Sequence, residues 1–169
     1  MKYVLILILF FSFSCKSEVK TEEKGLTSLP SLEIYDFSGI EPYLNLEGSK
    51  TYIVSFWATW CAPCVKELPH FEAIQQAYQE DVEVILISLD FPSQYETKLK
   101  PFIETHQLKT KVIVLDDPDM NSWIPKVDLN WGGDIPVTLI YNSLKRTFYN
   151  RTFTYNELDS ELKNFLTIN

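Results

Sequence analysis

Trp57-Ala58-Thr59-Trp60-Cys61-Ala62-Pro63-Cys64-Val65-Lys66-Glu67-Leu68 carries two of the chain's three cysteines, separated by two residues. The apolar, β-branched run Thr51 to Phe56 precedes it and reads as a buried strand. After it, Val65, Leu68, Phe71, Ile74 and Tyr78 recur at near-helical spacing, which predicts an amphipathic helix reaching about Tyr78, with Pro69 expected to kink it. The cysteines therefore sit where a strand turns into a helix. There the free N–H groups and the positive end of the helix dipole favour a thiolate, the nucleophilic form of cysteine.

Outward from this junction the pattern alternates. Val82 to Leu89 and Val112 to Leu115 are further buried-strand runs, and between them Leu99, Phe102, Ile103 and His106 share a helical face that Pro101 either kinks or opens. Asp116-Asp117-Pro118-Asp119 offers an N-cap aspartate, a first-turn proline and a first-turn acid for a short helix near Met120 to Val127. A glycine-containing loop, Asn130 to Pro136, leads into the strand Val137 to Tyr141, and a turn at Asn142-Ser143 leads into Arg146 to Asn150. A Thr154-x-x-Glu157 capping box opens the last helix. Towards the N-terminus, alternating Leu32, Ile34 and Phe37, a Ser38-Gly39 turn and a segment around Tyr43 to Leu46 predict a hairpin. The succession describes an α/β layered domain with a mostly parallel central sheet and an antiparallel addition near its end.

The 169 residues suffice for one domain with a substantial core, and 46% hydrophobic content fits a globular protein. A formal charge of −8, without any Lys/Arg-rich run, argues against a nucleic-acid surface. Met1-Lys2, the apolar run Tyr3 to Phe13 and then Ser14 read as a secretory signal, residues 1–14. The run is too short for the roughly 20 residues a spanning helix needs. Cys15, directly after Ser12-Phe13-Ser14, resembles the lipidated cysteine of a bacterial lipoprotein, although Ser12 stands where that pattern has an aliphatic residue. Residues 15–28 then form a lipidated cysteine and flexible polar tether, and 29–169 the folded domain. On this reading Cys61 and Cys64 are left as a pair outside the cytoplasm, in the cell envelope or periplasm, where disulfide chemistry is expected. A structural staple and half of a zinc site also fit the spacing, although zinc would need two more ligands and His70 lies round the helix from Cys64.

Phe56-Trp57-Ala58-Thr59-Trp60-Cys61-Ala62-Pro63-Cys64, followed further along by Ile135-Pro136-Val137-Thr138, resembles the thioredoxin superfamily. The export signal and the helix–strand insertion at about Ser93 to Leu115 resemble its TlpA/ResA-like branch of membrane-tethered thiol-disulfide oxidoreductases. The resemblance implies a thioredoxin fold, with a central mixed sheet flanked by helices, carrying the N-terminal hairpin extension and the insertion. It implies that Cys61 exchanges with a protein disulfide and that Cys64 resolves the mixed disulfide. Pro136 matches the family's cis-proline, with Ile135 beside it as a pairing edge for substrate, and Trp60 and Trp131 are candidate substrate contacts. Ser55 stands where thioredoxins have a buried acid; Glu67, one turn beyond Cys64, matches the acid of the ResA-like branch and becomes the candidate proton acceptor.

The expected activity is reduction of disulfides in exported proteins, with a membrane electron donor as partner, the membrane itself contacted through the lipid anchor, no nucleic acid, no metal, and no cofactor beyond the Cys61–Cys64 disulfide. Disulfide oxidation or isomerisation, and a tethered binding module with a structural disulfide, are the alternatives. A peroxidase of related fold would carry Thr or Ser three residues before the attacking cysteine, where this chain has Ala58.

Overall fold

The computed structural model describes residues 31–167. The signal segment, Cys15 and the tether lie outside them. Six strands form one sheet in the order β1-β4-β3-β2-β5-β6. These are β1 (Glu33–Tyr35), β2 (Thr51–Trp57), β3 (Val82–Ser88), β4 (Lys111–Leu115), β5 (Val137–Tyr141) and β6 (Arg146–Tyr149). Strands β1, β4, β3 and β2 run parallel, whereas β5 lies antiparallel to β2 and β6 antiparallel to β5. The sheet is mixed as expected.

Every residue of β2 is buried, because both of its faces are covered. Ile53 and Trp57 point to a cluster built with Leu68, Phe71 and Ile74 of α2 (Ala62–Ala77) and Leu158, Leu162 and Phe165 of α5 (Tyr155–Leu166). Val54 and Phe56 point the other way, to a cluster with Phe37, Ile40, Trp123, Val127 and Trp131. The helix α2 continues through Pro69 without a break. Between β3 and β4 the insertion winds through Pro92–Leu99 into α3 (Lys100–Thr105), which Pro101 opens. The capping box of α5 is complete, with the Thr154 and Glu157 side chains each engaging the other's backbone N–H.

Two local expectations differ from the structure. The N-terminal segment is not a hairpin. Only Glu33–Tyr35 is a strand, and it pairs parallel with β4, opposite Ile113 to Leu115. Asp36 then caps α1 (Phe37–Ile40), its side chain accepting from Gly39 N–H at 3.0 Å, and a 3₁₀ turn follows over Glu41–Leu44. Phe37, Ile40 and Leu44 recur at helical spacing and all are buried, so the helical period overrides the alternation. Gly39 is required there, since a Cβ would lie 2.8 Å from Tyr35 Cβ. The short helix α4 (Met120–Val127) forms as expected but starts after Pro118 and Asp119. Asp117 serves instead as a local brace, accepting from Asp119 N–H at 2.9 Å and from Phe37 N–H at 3.2 Å.

Candidate active site

Cys61 is the N-cap of α2, with extended backbone, and Cys64 lies in the first turn. The two are joined as a disulfide with their Cα atoms 5.3 Å apart. Cys64 is fully buried, while Cys61 keeps 6% exposure, so the outer sulfur is Cys61. The Cys64 N–H donates to Cys61 Sγ at 3.3 Å, and the carbonyl of Ile135 lies 3.8 Å from the same sulfur. After reduction, that sulfur would face an N–H group and the positive end of a helix, a setting that stabilises an anion.

The Ile135–Pro136 peptide bond is cis, as the sequence resemblance implied. It sits at the start of β5, and the antiparallel pairing of β5 with β2 carries it to the cysteines. Pro136 has no N–H to donate at this edge, where the Ile135 carbonyl approaches Cys61.

Glu67 is placed one turn beyond Cys64 on α2 and is 2% exposed. Its Oε2 accepts from Phe153 N–H at 2.9 Å, and Oε1 has no hydrogen-bond partner among the described residues. Burial pushes its carboxyl up to about 7, against the smaller opposing effect of the Phe153 N–H. Ser55 is also buried, and its register partner on β5 is Thr138, so neither position supplies a second acid.

Trp60 is 51% exposed beside Cys61 and stacks on Phe91, their ring centroids 6.1 Å apart. Trp131 is a different case. It is buried among Phe56, Trp123 and Phe148, and its indole N–H donates to the Asp134 carbonyl at 2.7 Å. The expected surface contact is therefore a core residue that holds the loop leading to Ile135.

Sequence reading missed two supports. Asp90, just past the end of β3, is buried and accepts from Thr59 N–H at 3.1 Å, from the Thr59 hydroxyl and from the Ser88 hydroxyl at 2.9 Å. It thereby fixes the loop between β2 and Cys61. An acid immediately after a parallel strand, on the carboxyl end where such sheets place their sites, was the available signal. Phe153 N–H, the partner of Glu67, lies 86 residues further along and left no local signature.

A disulfide-bonded CxxC at the start of α2, with the cis Ile135–Pro136 bond brought beside its outer sulfur, is the arrangement of a thioredoxin-like fold. The chain belongs to the AhpC/TSA family, whose profile matches residues 30–141. Among curated proteins it is similar to the thioredoxin-like protein YneN of Bacillus subtilis, 29% identical over 107 residues, covering 63% of this chain and 61% of that one. It is also similar to the thiol-disulfide oxidoreductase ResA of Bacillus cereus, 31% identical over 86 residues, covering 50% of this chain and 48% of that one. The chain thus spans about half to three fifths of the length of these relatives. Among solved structures, a thioredoxin-related protein from Neisseria meningitidis serogroup B superposes with a TM-score of 0.58 at 22% identity, covering 69% of this chain and 85% of that one. That likeness bears on the fold, which is thioredoxin-like as expected.

Proposed function

We propose that the protein is a lipid-tethered, extracytoplasmic thiol-disulfide oxidoreductase that reduces disulfides of exported proteins. The carrying observation is the bonded Cys61–Cys64 pair at the start of α2, with the Ile135 carbonyl 3.8 Å from the outer sulfur. The names of the curated relatives support the activity. The signal-like start and Cys15 support the location and the anchor.

In the reducing direction, the Cys61 thiolate attacks one sulfur of the client disulfide and displaces the other as a thiolate. Cys64 gives up its proton and attacks Cys61 Sγ. The protein is left with the disulfide seen here, and the second client sulfur departs as a thiolate. Two electrons pass to the client. Glu67, with a carboxyl held near 7, is the acceptor for the Cys64 proton. Trp60, Ile135 and Pro136 form the wall against which the client chain lies. Ile135 before the cis-proline, as in reducing thioredoxins, favours reduction, and a membrane partner delivering electrons returns the pair to the dithiol.

Peroxide reduction is disfavoured at the same site. Ala58 stands three residues before Cys61, and the neighbouring Thr59 hydroxyl is committed to Asp90.

Cys64→Ala tests the reading, because it removes the resolving sulfur while keeping the attacking one. Mixed disulfides through Cys61 should accumulate and identify the clients. No trapped client, together with no insulin reduction by the unaltered protein, would leave a binding module with a structural disulfide.

A further inference from the structure

Beside the cysteines lies a groove of about 480 Å³ between the active-site loop and the loop after β4. Its apolar wall includes Trp60, Phe91, Met120 and Ile135. Trp60, Phe91 and Met120 are 51%, 58% and 45% exposed. Single exposed apolar side chains are ordinary, but three around one groove, two of them stacked, mark a surface built for a partner. The charge of the groove is one-sided. Asp90, Asp116 and Asp117 line it, and among the described residues no Lys or Arg does. Asp90 and Asp117 are occupied in bracing their own loops, whereas Asp116 is an exposed residue whose carboxylate also lies near the Tyr95 hydroxyl. The chain's net charge of −8 adds a field of the same sign.

We propose that this groove docks an arginine-bearing extended segment of the client, directly adjoining the client disulfide. The inference rests on the oxidoreductase reading and names its substrate class. A guanidinium satisfies both features of the groove at once, since its plane stacks on Trp60 or Phe91 while its charge faces Asp116. An apolar neighbour in the same segment covers Met120. With the segment's backbone along the Ile135 edge, the client disulfide comes to Cys61 while the arginine occupies the groove.

The test uses the reduced full chain and three synthetic peptides. Each is closed by an internal disulfide and flanked by Arg and Leu, by Glu and Leu, or by Gly and Ser. Peptide reduction is followed by chromatography, and each rate is divided by that for oxidised glutathione on the same protein. The Arg–Leu peptide should react about tenfold faster than the Glu–Leu peptide, with the preference falling as salt is raised. Phe91→Ala should lower the Arg–Leu preference about fivefold. Asp116→Asn should lower it about twofold. Equal rates for the three peptides, or a preference untouched by both substitutions, overturn the groove while leaving the oxidoreductase reading standing. A groove covered by a second copy would appear as a dimer in sedimentation that Phe91→Ala dissociates, and this also overturns it. Absence of exchange with glutathione and all peptides would instead refute the oxidoreductase reading, and the groove assignment with it.

Discussion

Glu67→Gln separates the ionisation of the buried acid from its shape. The amide keeps an oxygen to accept the Phe153 N–H, now bonded at 2.9 Å, but it cannot lose a proton. In the unaltered protein, the folded carboxyl titrates at about 7 and the unfolded one near the ordinary 4.5, the difference arising from burial. Below the unfolded value both states hold the proton, and the folded state carries no penalty. As pH rises through the interval, the unfolded chain ionises first, so stability is lost progressively until the folded carboxyl has also titrated. At 1.36 kcal/mol per pH unit, the interval from 4.5 to about 7 corresponds to a loss of about 3 kcal/mol above neutrality. The variant lacks this loss, so its stability relative to the unaltered protein should rise by about 3 kcal/mol between about pH 4 and about pH 8. Urea unfolding of both oxidised proteins across that range measures the gap, with the cysteines locked and other titrations cancelling in the difference. A gap independent of pH would refute the buried-acid argument. In the same variant, resolution of a Cys61 mixed disulfide should slow and lose its dependence on pH near 7. Unchanged rates across pH would remove Glu67 from the proton transfer.

Two further substitutions test the supports of the site. Asp90→Ala strips the Thr59 N–H and the Thr59 and Ser88 hydroxyls of their buried acceptor, and should cost about 3 kcal/mol in denaturant unfolding. A cost below that of an ordinary surface change would show that the loop before Cys61 is held by something else. Trp131→Ala should lower stability by about 4 kcal/mol, the loss expected for a large core aromatic, and thermal unfolding reads it directly. A full-stability Trp131→Ala protein would return that residue to the surface.

The parts of the fold legible in the sequence were those whose signals are local. The β2–α2 junction, the capping box at Thr154 and the turn at Asn142 each depend on residues within one or two turns of chain. Glu67 was legible because three residues of helix place it on the face of Cys64. What escaped depends on distant partners. Glu33–Tyr35 becomes a parallel edge strand only because β4, nearly eighty residues away, offers Ile113 to Leu115. Trp131 looks exposed in a polar, glycine-containing loop until Phe56 and Phe148 close over it from β2 and β6. Asp90 carries a faint signal as an acid just past a parallel strand, but its Thr59 partner lies 31 residues away, and Phe153, 86 residues from Glu67, has no local signature at all.

The approach of Ile135 to Cys61 spans 74 residues of chain and exists only after β5 has paired with β2. The cysteines themselves sit at the β2–α2 junction, and β2, α2 and β3 are consecutive in the chain. Contacts between near neighbours form before those that must first close a long loop. By sequence separation alone, the Cys61–Cys64 turn is a local construction, whereas the Ile135 edge that meets it is a long-range one that depends on β5 docking.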